Sequence, residues 1–119
     1  MASYRFYPAA DQRQDEIWDY TLRRWGEKQA EKYIHGLHNH LQQLADKILQ
    51  WRDLPNRILV PPDIDIKIYF SVYEYHYLFF RELSDGDIGI MSILHESMDL
   101  PTRLREDLEL ITRFNEYRS

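Results

Sequence analysis

EIWDYTLRRWGEKQAEKYIHGLHNHLQQLA, residues 16–45, holds two apolar stripes of helical period separated by one glycine. Before Gly26, Ile17, Trp18, Thr21, Leu22 and Trp25 recur at spacings of one, three and four. After it, Ala30, Tyr33, Ile34, Leu37, Leu41, Leu44, Ala45 and Ile48 run as a single stripe of about five turns. Gly26 is expected to end the first helix as a left-handed C′ residue. A link this short folds the helices back as an antiparallel hairpin, each burying its stripe against the other and a third layer. Asp11 reads as the N-cap of the first helix.

The third layer is a sheet. Upstream, SYRFY (3–7) alternates and stops at Pro8, which predicts a short first strand. Downstream, Pro55, Pro61 and Pro62 mark a change of structure. Ile64, Ile66, Ile68, Phe70 and Val72 then alternate with polar residues, so this strand buries one face. YHYLFFREL (75–83) is apolar on both faces, as a central strand is. SDGD (84–87) is a hairpin turn around Gly86, and IGIMSIL (88–94) is the next strand. After Asp99, with Pro101 in the first turn, Leu104, Leu108 and Ile111, extended by Phe114, form one face of a last helix. The expected order is β-α-α-β-β-β-α. It is an α+β domain spanning 1–119, with the helix hairpin on one face of a small antiparallel sheet and the C-terminal helix over the face left bare.

Composition narrows the function. The chain has 119 residues, 44% hydrophobic and 14% aromatic, enough for one packed core. It has no cysteine, which excludes disulfides and thiolate metal sites and fits a reducing compartment. No stretch approaches a membrane span, so a cytoplasmic protein is expected. The net charge of −5 disfavours direct nucleic-acid binding, which depends on basic patches.

SILHESMD (92–99) gathers His95, Glu96, Ser97 and Asp99 at the end of the last strand. A catalytic triad is not expected there, because neighbours on a strand point to opposite faces. His95 is expected to bond a turn, Asp99 to start the last helix, and His76 to pack against His95 or a tyrosine. In HGLHNH (35–40), His35 and His38 are close enough on a helix to share a metal, but no carboxylate-rich segment joins them, so a solvated flank is expected. Of Trp18, Trp25 and Trp51, one or two are expected at an interface.

These segments, in this order, resemble the ParE branch of the RelE/ParE superfamily of bacterial toxins, over residues 4 to about 104. The helix pair with its Trp-Gly turn, the His-led aromatic strand YHYLFFREL and the strand end ILHESMD carry the resemblance. Ser97 stands where the family usually has arginine. The resemblance implies a toxin of a type II toxin–antitoxin system that binds and traps DNA gyrase, has no cofactor and is neutralised by a cognate antitoxin. It places partner-binding candidates at Tyr73, Tyr75, His76 and Arg81 on the sheet and at His95 and Met98 at its end. Leu104 and Leu108, with Arg103, Arg105 and Arg113, complete them on the last helix. The rival functions are a RelE-type ribosome-dependent mRNA interferase and a non-toxic antitoxin-binding homologue. Glu96 and Ser97 stand where the ribonuclease branch carries an arginine, which weighs against phosphodiester cleavage.

Overall fold

The computed structural model describes residues 2–55 and 66–115, with side chains as far as Ile111. Ile64, Pro61 and Pro62, and the side chains of Arg113 and Phe114, lie outside the described residues. The elements run β1 (Tyr4–Phe6), α1 (Pro8–Trp25), α2 (Glu27–Ala45), β2 (Arg52–Asp53), β3 (Tyr69–Tyr73), β4 (His76–Glu82), β5 (Ile88–His95) and α3 (Leu100–Asn115). The strands form one five-stranded sheet in the order β1-β5-β4-β3-β2.

The α+β class and the helix hairpin are as expected, and the apolar strand β4 is central. Four details differ. The strand expected to include Ile66 and Ile68 begins only at Tyr69. The sheet is mixed: β1 lies parallel to β5, pairing Tyr4–Phe6 with Ile88–Ile90, while the other pairs are antiparallel. The intervening helices and strands supply the long crossover that parallel neighbours need. A two-residue edge strand, β2, pairs with Phe70 and Tyr69 in a stretch expected to be loop. Finally, α1 begins at Pro8, with Tyr7 as N-cap, because proline at the first helical position is already set to helical φ. Asp11 falls in the first turn, where its charge faces the positive end of the helix.

Gly26 closes both helices at once. Its N–H donates to Leu22 O at 3.0 Å and its carbonyl accepts from Ala30 N at 3.1 Å, with φ at +94°. Only glycine takes that φ without strain, so the hairpin link is a single residue.

The layers follow from side-chain direction. On the hairpin face, Ala10 and Ile17 from α1 and Leu37, Leu41 and Leu44 from α2 pack on Leu78, Phe80, Ile88, Ile90 and Ile93. On the other face, α3 lays Leu100, Leu104, Leu108 and Ile111 over Phe79, Met91 and Leu94. Leu104 and Leu108 are each 1% exposed, so α3 is core and covers the face the hairpin leaves bare. A bulge makes this possible. Phe79 pairs with Ser92 and Phe80 with Ile90, so Met91 is an extra residue on β5. The inserted residue reverses the alternation: Ile88, Ile90 and Ile93 face the hairpin, and Met91 and Leu94 face α3.

Candidate functional site

A groove of about 780 Å³ opens between α1 and the far end of the sheet. One wall is the face of α1 carrying Arg13, Ile17, Tyr20, Thr21 and Trp25. Ile17, Thr21 and Trp25 are four residues apart and form one stripe. Ile17 and Thr21 are buried, whereas Trp25 is 66% exposed. The stripe therefore outruns the sheet it packs on, and its last ring is left in solvent beside Tyr20. The guanidinium of Arg24 lies 5.9 Å from the centres of both rings. Burial of the full first stripe was expected from its period; Leu22 and Trp25 are exposed instead, as is Ile48 past the end of α2.

The opposite wall comes from the strand ends. His76 and His95 are cross-strand partners on β4 and β5, with rings edge to face at 5.2 Å. The hydroxyl of Tyr33 on α2 lies 2.6 Å from His76 Nδ1, within hydrogen-bond distance. Burial, and then the neighbouring His95, pushes the His76 pKa down to about 4, so the ring is neutral at pH 7. Burial raises the Tyr33 phenol, so it stays protonated at pH 7. His95 bonds the following turn, as expected: Ser97 N–H donates to its Nδ1 at 3.1 Å and Met98 N–H to its carbonyl at 3.0 Å.

Ser97 also places its hydroxyl 2.7 Å from His95 Nδ1. The strand ends at His95, so the turn, not strand alternation, sets where Ser97 points. Glu96 is exposed and gives its backbone N–H to Tyr75 O at 2.8 Å, leaving a two-member contact rather than a triad. Asp99 accepts from the Thr102 hydroxyl at 2.8 Å and caps α3.

Of the sequence-derived candidates, Tyr75, His76, His95 and Met98 meet in this groove. Tyr73 does not. Its ring packs on Tyr33 at 5.1 Å and its hydroxyl donates to Tyr33 O, in space that exists because position 36 is glycine; a Cβ there would strike that hydroxyl. Arg81 lies elsewhere on β4, with Nε buried and unbonded among the described residues. Leu104 and Leu108 are interior, which removes them from any free surface. Arg103 and Arg105 are exposed on α3, with Arg103 Nη1 3.6 Å from Glu106. Arg113 has no described side chain.

The groove also holds residues the sequence reading passed over: Arg13, Glu16, Tyr20, Thr21, Gln29 and Tyr33. Their signal was available in part, since Arg13, Ile17, Thr21 and Trp25 share one helical face. Arg13 is the only lysine or arginine among the described lining residues, and acids flank it. Nη1 is 3.8 Å from Glu16 Oε1, and Nη2 is 3.8 Å from Asp107 Oδ1. Asp107 is 5% exposed and accepts the buried Ser92 hydroxyl at 2.6 Å. Burial raises its pKa, opposed by the Ser92 bond and then by Arg13.

The histidines of α2 are not a solvated flank. His38 Nδ1 lies 2.8 Å from the Tyr4 hydroxyl, and its Nε2 meets Gln14. His40 Nε2 lies 2.8 Å from Ser71 Oγ. Each ties α2 to another element; His35 alone is exposed. Among the described residues no three of His, Asp and Glu gather as metal ligands, and no helix is long and apolar enough to cross a membrane.

Chemically, the groove offers apolar and aromatic surface, two histidines already engaged in hydrogen bonds, and one arginine flanked by carboxylates. That is equipment for docking side chains rather than for stabilising a phosphorane.

Comparison with known proteins identifies the family. Residues 4–100 match the family described as "ParE toxin of type II toxin-antitoxin system, parDE". The chain is 32% identical over 101 residues to Toxin ParE1 of Mycobacterium tuberculosis, covering 85% of this chain and 96% of that protein. It is 30% identical over 109 residues to Toxin ParE of Escherichia coli, covering 92% and 99%. A solved structure titled "Chromosomal ParDE TA system from P. aeruginosa" shares the fold, with a TM-score of 0.58 at 18% identity, over 80% of this chain and 96% of that one.

Proposed function

The chain belongs to the ParE family of toxins of type II toxin–antitoxin systems, and from that premise we propose that it poisons DNA gyrase by binding and is silenced by a cognate antitoxin. The observation that carries the binding reading is the groove with its exposed aromatic rim: Tyr20 at 58%, Trp25 at 66% and Tyr75 at 59%. Large rings left in solvent beside a concave surface are what a partner segment covers. The antitoxin segment, disordered when free, folds along this groove with apolar side chains against Trp25, Tyr75 and Met98, and with His76 and His95 at its floor. Arg103 and Arg105, exposed on α3, face gyrase. The protein acts without turnover and needs no cofactor, and its place of action is the cytoplasm.

The test uses purified gyrase and supercoiled plasmid. The expected result is linear plasmid after denaturing the enzyme, the mark of a trapped cleavage complex, suppressed by the antitoxin from the adjacent reading frame. Codon-specific cuts in ribosome-bound mRNA, with gyrase untouched, would replace this reading with the ribonuclease one. Normal growth after induction without antitoxin would leave only the non-toxic homologue.

A further inference from the structure

Arg13 stands at a junction. Strand β1 pairs with β5 only as far as Ile90, so among the described residues no strand lies beside the edge of β5 beyond that point. Ser92, two residues further, bonds Asp107 of α3, on the face of the sheet opposite the hairpin. Arg13 projects from α1 on the hairpin side and still comes within 3.8 Å of Asp107, so it reaches past this sheet edge. The same guanidinium lines the groove and lies 3.8 Å from Glu16. One side chain therefore touches both the groove and the buried anchor of α3.

We propose that Arg13 couples occupancy of the groove to the seating of α3: an acidic side chain of the antitoxin draws Arg13 away from Asp107, and α3 loosens when the groove is filled. The inference rests on reading the groove as the antitoxin site. Three features support it. Arg13 is the only lysine or arginine among the described lining residues, so an acidic side chain entering the groove has this one cation to meet. The 3.8 Å contacts are longer than direct hydrogen bonds, so the guanidinium is shared and readily re-aimed. Among the described residues Arg13 is the one cation within 4 Å of Asp107, and Arg103 acts on it more weakly. Nearby Arg103 is turned to Glu106 on the exposed side of α3, and Ser92 is a neutral donor. A buried carboxylate losing its nearest cation weakens the element that carries it. The coupling is reciprocal, so whatever holds α3 down raises the cost of antitoxin binding.

Parent, Asp107→Asn, Arg13→Gln and the double variant are titrated with the antitoxin from the adjacent reading frame. Asp107→Asn keeps an acceptor for Ser92 and releases Arg13, so it should bind about fivefold tighter than the parent. Arg13→Gln should bind more weakly, and Asp107→Asn should change nothing in that background. Hydrogen exchange on the parent needs no substitution: amides of Leu104, Leu108 and Ile111 should exchange about fivefold faster in the complex than in the free chain. Equal affinity of parent and Asp107→Asn, with α3 exchange unchanged or slowed by antitoxin, overturns the coupling. Tyr20→Ala and Trp25→Ala separate the two failures. If they weaken binding while Asp107→Asn does not alter it, the groove is the antitoxin site and only the coupling is wrong. If they leave binding intact, the groove reading falls and takes the coupling with it.

Discussion

The two faces of the sheet are held in different ways. The hairpin face mixes aliphatic packing with polar ties. Tyr4 to His38, Ser71 to His40 and Tyr33 to His76 each join α2 to a strand. The α3 face is built from Leu100, Leu104, Leu108 and Ile111, with one buried polar bond, Ser92 to Asp107. Two long helices linked by one residue position each other, and can carry histidines and an open groove. A single helix has no such partner and depends on its apolar face. The consequence is that the hairpin face loses stability in acid through its histidines, while the α3 face is held chiefly by packing.

Removing packing from α3 should have the largest effect. Leu104→Ala is expected to cost about 3 kcal/mol, read as a lower urea midpoint at unchanged slope, because the cavity lies beneath a helix with little else to hold it. A loss under about 1 kcal/mol would mean that α3 is seated by its ends rather than by its face.

Acid should divide the faces next. His76 titrates near 4 when folded and near 6.5 when unfolded, so the unfolded chain binds the extra proton between those values. Stability contributed by this face is present above pH 6.5 and lost as pH falls toward 4. The lowered values of His38 and His40 act in the same direction. Asp107 has the opposite sign. Its pKa is raised, so its contribution is present at low pH and lost as pH rises through the folded value. Urea melts at pH 7.5 and 5 should show a loss at pH 5 that His76→Gln reduces by about 1 kcal/mol, discounted for partial exposure. Asp107→Asn should leave that loss in place. If His76→Gln does not change the difference between the two pH values, the acid sensitivity lies outside the Tyr33–His76 tie.

The smallest effect on stability is expected on the outside of α3. Arg103→Glu with Arg105→Glu should shift stability by less than about 0.5 kcal/mol, since both side chains are exposed. The same double variant should lose most of the trapped cleavage complex in the plasmid assay. Unchanged trapping would move the target surface off this helix.

What the sequence disclosed follows from periodicity. Leu37, Leu41 and Leu44 step along one face and Leu104, Leu108 and Ile111 along another, so the helices and their buried sides were readable. The mixed sheet was not, because three residues of β1 carry no sign of which strand they will meet or in which direction. Nor was the bulge at Met91: IGIMSIL is apolar enough to hide a change of alternation. His95, Met98, Tyr75 and His76 were pointed to by the family resemblance, and the strand ends bring them together in one groove. Arg13 escaped, and Trp25 could not be told from Trp18 and Trp51 as an interface ring, for a different reason. Helical period says which side a residue faces, but not where the partner surface on that side stops. Ile17 and Trp25 share a face, and only the extent of the sheet makes one core and the other rim.

The parallel pairing of β1 with β5 bears on how the protein is made. Ser3 N–H bonds Asp87, 84 residues later, and Ile88 N–H bonds Ser3 O. The contacts within the helix hairpin are local, whereas β1 cannot be seated until β5 exists. Until β5 is made, the nascent chain therefore has an unfinished sheet. Since the groove needs Ile93, His95 and Met98, its surface is completed only after β5 and the following turn have been made. A chain cut short before β5 would lack that surface, and the protein cannot be recognised through it before that strand has been built.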